Sequence, residues 1–251
     1  MKVPARFLFV AALLGLAPLR ADVAATLTKA RAFYGPEAAL DAIRSIHYVG
    51  TAETIADTPE GPKPVMAKIE IIFQIPFRQR MVVTLPDRIE VTALDDYEGW
   101  QRIEDPVEPT RWRLTLLTTE QIKRLRATTW ENLAFHRGIE RRNGRVDDLG
   151  EVTVAGIRTH KLAFLHDNDI IFFRYFDLGS GRLVLTETDQ GERIREEGEL
   201  VAGGIRFSRK VITTSKLPDG SERTVTITFD RITVNESFPA NTFAMPPVNM
   251  R

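Results

Sequence analysis

The chain of 251 residues contains no cysteine. Thiol catalysis, iron–sulfur clusters and thiolate metal sites are excluded by that absence, as are a structural disulfide and a lipid on a processed N-terminal cysteine. Histidine is scarce: His47, His136, His160 and His166 are the four copies, and none stands at a His-Glu-x-x-His or other short ligand spacing. No sign of charge prevails either, with 34 Lys and Arg against 34 Asp and Glu. A polyanion binder needs a basic stripe, whereas here acids and bases alternate finely, as in Glu192-Arg193-Ile194-Arg195-Glu196-Glu197. Nucleic acid is therefore not an expected partner.

What is present begins with a leader-like N-terminus. Lys2 and Arg6 precede the apolar stretch Phe7 to Ala17, and Pro18-Leu19-Arg20-Ala21 supplies a breaker and a small residue. That is the three-part layout of a secretory signal peptide over residues 1–21, with cleavage expected after Ala21 and Ala24 as the next candidate. At ~1.5 Å per residue the stretch covers about half of a ~30 Å hydrocarbon core, so no stable membrane span is expected after cleavage. Removing residues 1–21 takes away Lys2, Arg6 and Arg20 and no acid, which leaves the mature chain mildly acidic. Residues 22–251 are expected to form one exported, soluble domain, large enough to bury a core without disulfides.

Hydrophobic periodicity makes that domain mainly β. Two short helices are expected first, Ala24–Tyr34 and Pro36–Ser45, divided by Gly35. From Ile46 the period changes to two, giving strands over 46–55, 65–75, 77–85, 88–94 and 97–104. Residues 57–64 hold three prolines and read as a long hairpin loop, and residues 104–110 as a second loop. One interior helix starts near Thr118 or Thr119, where threonine can cap it, with Ile122, Leu125, Thr129 and Leu133 on one side. Further strands follow over 151–154, 157–165, 169–177, 182–188, 193–201, 205–215 and 223–234, joined by tight turns such as Gly203-Gly204 and Asp219-Gly220. Strands recurring every dozen residues with such turns mean an antiparallel meander of about eleven strands.

Catalytic constellations are not found. His160, His166 and Asp167-Asn168-Asp169 could approach a metal site, but the oxygen-ligand pattern of a calcium loop stops at Ile170. No metal or cofactor is expected. Gly179-Ser180-Gly181 lies between two strands and is a turn, not a nucleophile elbow. The carboxylate pairs Asp95-Asp96 and Asp147-Asp148 sit beside predicted turns, where aspartate is common. A binding protein rather than an enzyme is the expectation, and a hydrolase working through such paired carboxylates is the lesser alternative.

The apolar alternation of the first strands carries the positive reading. Ile69, Ile71 and Phe73 alternate with Lys68, Glu70 and Gln74; Phe77, Met81, Val83 and Leu85 follow, then Ile89 and Val91. Read as one continuous apolar face, these residues join Trp100 from the next strand and Ile122 and Leu125 from the interior helix as candidate ligand contacts. Trp112 and Trp130 are placed near the mouth. A curved sheet of this many strands encloses more volume than one short helix fills, and an apolar cavity follows.

The order of elements also resembles a known class. Tyr34-Gly35-Pro36-Glu37-Ala38-Ala39-Leu40-Asp41-Ala42-Ile43-Arg44-Ser45-Ile46 leads into the first strand, Gly150-Glu151-Val152-Thr153-Val154-Ala155-Gly156-Ile157 runs into Lys161-Leu162-Ala163-Phe164, and Tyr175 to Val184 and Phe238 to Pro246 close the pattern. Together these stretches resemble the LolA-like outer-membrane lipoprotein-sorting proteins. The resemblance implies an unclosed, curved antiparallel half-barrel whose concave apolar face, lidded by helices, accepts lipid or lipoprotein acyl chains in the periplasm. No polar lid-locking residue of that class matches a position here. An envelope regulatory or scaffold protein, binding a protein partner with a packed interior, is the alternative; a monomer is expected in either case.

Export with cleavage after Ala21 makes Asp22 the first residue of the secreted form. N-terminal sequencing of the protein from the periplasm of a secreting host reads this out, and recovery of the chain still beginning at Met1 contradicts it.

Overall fold

The computed structural model describes residues 20–58, 61–167 and 169–247. Most of the leader-like segment, Pro59 and Glu60 of the proline-rich loop, and Asn168 lie outside the described residues. The first helix, α1 (Arg20–Tyr34), and a single turn, α2 (Glu37–Asp41), precede β1 (Ser45–Thr58) and β2 (Gly61–Gln74). The meander continues through β3 (Arg78–Thr84), β4 (Ile89–Asp95), β5 (Glu98–Glu104) and β6 (Trp112–Leu116), after which α3 (Thr119–Ala134) crosses back. The second half comprises β7 (Arg145–Val154), β8 (Ile157–His166), β9 (Ile170–Asp177), β10 (Leu183–Thr188), β11 (Arg193–Glu197), β12 (Leu200–Ala202), β13 (Ile205–Phe207), β14 (Lys210–Lys216) and β15 (Glu222–Val234).

Thirteen of these strands form one antiparallel sheet in the order β6-β5-β4-β3-β2-β1-β15-β14-β11-β10-β9-β8-β7. Its two edges, β6 and β7, do not pair, so the sheet is an unclosed half-barrel as expected, with thirteen strands instead of eleven. β6 is absent from the expected strands, being only five residues long and set between a loop and the start of α3. The expected hairpin 193–201/205–215 is divided: β11 pairs with β14 in the main sheet, while β12 and β13 form a separate two-stranded tip. Gly198 at φ 68° bends the chain between the two parts, and the bend carries Ile205 and Phe207 into the core beside Leu40, Ile43 and Ile46.

The concave face is covered in sections. α3 lies over β2, β3 and β4. Thr118 begins it with a complete capping box, its hydroxyl accepting from the Gln121 amide while the Gln121 side chain accepts from the Thr118 amide. α1 packs Val23, Leu27 and Ala30 onto Leu162, Phe164, Phe176 and Leu183 at the other end. α2 is shorter than the expected 36–45 helix, because Ser45 is already drawn into β1, its hydroxyl donating to the Glu236 carbonyl at 2.7 Å. The tip turn closes on Gly35, where a Cβ would stand 2.8 Å from the Gly204 carbonyl oxygen, so only glycine allows this approach.

Arg31 ties the three helices together. It is buried on α1, donates from Nε to Glu37 at 2.8 Å and from Nη2 to Asp41 at 3.0 Å, and caps the end of α3 through Nη1 to the carbonyls of Ala134 and Phe135, each at 3.0 Å. Beyond these bonds the Ala134 carbonyl takes the Arg137 amide of the following turn, at 3.3 Å. Arg31→Met keeps the stem and removes every bond of the guanidinium, and should cost about 3 kcal/mol. Urea denaturation of both proteins measures it; a loss below about 0.5 kcal/mol would show that solvent replaces the bonds.

Candidate functional site

Where the helical covers meet over the middle of the sheet they leave a cavity of about 270 Å3. Its apolar wall is made by Tyr48, Ile71 and Phe73 from β1 and β2, Val211, Ile227 and Phe229 from β14 and β15, and Phe172, Leu183 and Ile194 from the second half. Register explains the convergence. Tyr48 pairs with Ile71 and Gly50 with both Ile69 and Phe229, so side chains in phase point to the same side. The bulge between Val49 and Gly50 brings β15 so close that a Cβ at Gly50 would lie 2.1 Å from the Thr228 oxygen. The lid wall is Thr128 and Asn132 of α3, Phe135 just past its end, and Tyr34 of α1.

One end of this cavity is polar. Glu131 on α3 is buried and accepts from His166 Nε2 at 2.5 Å and from the Arg174 guanidinium. Burial opposes ionisation, but the Arg174 charge and the His166 bond overcome it and hold the Glu131 carboxyl down at about 2. Arg174 also donates to His136 Nδ1 at 2.6 Å. A guanidinium only donates, so this nitrogen accepts and the imidazole proton sits on Nε2. Burial first, then the Arg174 charge, keeps His136 well below the usual imidazole range, and hence neutral. On β11, with β10 between it and β9, Glu196 takes a bond from Ser208, yet burial raises its carboxyl above the ordinary value. Tyr34 and Tyr48 are pushed up as phenols, chiefly by burial and then by the Glu196 charge.

The sequence-derived candidates divide between several places. Ile71 and Phe73 line the cavity. Ile69, Met81 and Val83 share their face of the sheet through the register Ile71↔Met81 and Ile69↔Val83. Phe77 and Ile122 line a neighbouring cleft outside α3, and Leu125 lies on α3, half-buried, its carbonyl accepting from Thr129. Leu85 belongs to the β3–β4 turn, its amide bonded to the Arg88 carbonyl. Ile89, Val91 and Trp100 are not on the concave side and are corrected accordingly: Val91 pairs with Val82, and Trp100 with Ala93, on the opposite face. The four residues 85–88 between the paired Thr84 and Ile89 exchange the parity of the strands, so an odd position faces the other way after the turn. There Ile89, Val91 and Trp100 form a cluster with Ala93, Val82 and Leu114, and Trp100 Nε1 donates to the Phe243 carbonyl of the C-terminal segment at 3.0 Å. Trp112 is 37% exposed on the edge strand β6, away from the cavity, and Trp130 lies between two clefts beside α3.

Sequence reasoning missed the polar end. A signal existed in phase: Arg174 alternates with Ile170, Phe172 and Phe176, and Glu131 follows Ala127 by one helical turn, so charged residues occupy positions on apolar faces. The other titratable groups considered are engaged. His160 binds Thr26 Oγ1 at 2.7 Å and Asp148 at 2.8 Å, Asp95 pairs with Arg78, Asp96 with Arg126, and Asp147 with Arg145. Among the described residues no cluster of three or more potential ligands could hold a metal ion, and no helix is long and apolar enough to cross a membrane.

No protein-family model matches the chain, and no curated protein matches it. Solved structures do. A LolA superfamily protein from Nitrosomonas europaea superposes with a TM-score of 0.57 at 13% identity, over 88% of this chain and 97% of that one. An outer membrane lipoprotein-sorting protein domain from Vibrio parahaemolyticus gives 0.54 at 8% identity, over 86% and 95%. A DUF1329 family protein from Desulfovibrio piger gives 0.55 at 10%, over 88% and 97%. The fold is therefore LolA-like along almost its whole length.

Glu131→Gln leaves Arg174 charged and buried without its counter-ion, and should cost about 3–5 kcal/mol in chemical denaturation. Because the folded carboxyl lies below its unfolded value, the native protein gains stability from it above about pH 4.5, and that gain is lost as pH falls toward about 2. The wild type should thus lose stability over this window more steeply than Glu131→Gln does. Parallel pH profiles would contradict the ion pair.

Proposed function

We propose that this protein is a periplasmic carrier or binding module for lipid or lipid-modified protein, exported by its N-terminal segment and holding acyl chain in the cavity beneath α3. The observation that carries the reading is the hollow of about 270 Å3 whose wall from β1, β2, β14 and β15 is made of Tyr48, Ile71, Phe73, Val211, Ile227 and Phe229. Its likeness in fold to lipoprotein-sorting proteins supports the reading but identifies no cargo.

The magnitudes suit reversible binding. At ~30 Å3 per water-sized volume the cavity takes roughly nine such units, and nine methylenes at ~0.8 kcal/mol each give about 7 kcal/mol. Before association costs that corresponds to a Kd on the order of 10 μM for one short acyl segment. A carrier must release what it collects, and binding of this strength allows it. Residues Ile71, Phe73, Ile227 and Phe229 are assigned the chain contacts; Ile69, Met81 and Val83 extend the same face toward α3 and would guide a longer chain. Binding rather than catalysis fits the paired carboxylates, each of which faces a basic partner instead of a free cleft.

Displacement of an environment-sensitive apolar dye by fatty acyl ligands tests this. Ile71→Asp places a charge in the wall and Ile227→Trp fills the space, and each should weaken acyl binding at least about tenfold while thermal melting remains cooperative. Unchanged displacement in both folded variants would remove the cavity from the account.

A further inference from the structure

Outside α3, opposite the apolar cavity, lies a second and larger cleft of about 690 Å3 whose walls are basic and aromatic. Lys123, Arg126, Arg141 and Arg142 stand around it with the rings of Phe77 and Trp130. The Arg126 guanidinium is held between Phe77 and Tyr97, 3.9 and 3.8 Å from their centroids, and is paired with Asp96 at the β4–β5 turn. Arg142 lies over the same Phe77 ring at 4.3 Å and over Trp130 at 4.8 Å. Two guanidiniums thus stand against one aromatic ring, which concentrates positive charge at the cleft and favours an anion there.

Counting Asp96 and Asp167 against the four cations leaves the cleft with a net charge of two positive. A phosphate carries a charge of about −1.5 to −2 at neutral pH and offers three acceptor oxygens to guanidinium forks. We propose that this cleft is a phosphate-binding site, taking either the phosphate head of an amphiphile or free phosphate. The first source rests on the carrier reading. It is favoured by position: His166 borders the cleft while its partner Glu131 borders the apolar cavity, so one hydrogen bond of 2.5 Å separates the two spaces.

Dodecyl phosphate and dodecanol, which share one chain and differ in the head, separate these contributions when titrated calorimetrically into the whole protein, with inorganic phosphate as a third probe. Dodecyl phosphate should bind roughly tenfold more tightly than dodecanol, and the exposed double variant Arg141→Gln/Arg142→Gln should abolish that difference without altering dodecanol binding. Competition by inorganic phosphate would mark the source as free phosphate; its silence beside a preference lost in the variant would mark a lipid head. If neither amphiphile binds while inorganic phosphate does, the cleft assignment stands and the carrier reading falls. Equal binding of the two amphiphiles with no response to phosphate, or a preference that survives in the double variant, overturns the proposal.

Discussion

A sheet that curves without closing must cover its concave apolar face with something other than itself, and that constraint governs this molecule. Thirteen strands at ~4.8 Å span about 58 Å, whereas the 16 residues of α3 at ~1.5 Å extend about 24 Å. One helix cannot cover the face. α1 takes the β7–β9 end, α3 the β2–β4 end, and the bent β12–β13 tip enters between them. The cavity is what remains where the three covers meet, and Arg31 holds two of them together by joining α1, through α2, to the end of α3 in a single set of bonds.

The same covering explains why charge is tolerated inside. Glu131 bonds the lid helix to His166 and Arg174 on β8 and β9, at the far side of the cavity from β2. A buried ion pair adds little net stability over an apolar pair of the same shape, but it enforces one geometry, since either partner alone is costly. Here it sets the position of α3 across the sheet and gives the hollow one polar and one apolar end. On the outer side of the same helix, Arg126 and Arg142 line the basic cleft, so α3 separates two chemically distinct spaces.

Much of this was legible in the residues. Alternation and turn chemistry gave the antiparallel meander, and a threonine able to cap at 118 or 119 marked the start of α3, where the structure places the cap on Thr118. Ile71 and Phe73 reached the cavity because the alternation along β2 is unbroken. Ile89, Val91 and Trp100 did not, because alternation is a local rule and the four-residue β3–β4 turn reverses which parity faces inward. The division of the 193–215 hairpin was also beyond a period-two pattern: both halves alternate correctly, and only the bend at Gly198 sends the tip into the core. Arg174 and Glu131 were readable only as charges out of phase with polarity, and their mutual contact depends on elements 43 residues apart.

Native mass spectrometry of the protein purified without detergent from the periplasm of a secreting host addresses the hollow most directly. The account predicts a population heavier than the polypeptide by the mass of an acyl-bearing molecule, which dissociates on gentle activation and is missing from a variant with the cavity filled. A spectrum showing only the bare polypeptide, unchanged after incubation with excess acyl lipid, would contradict it.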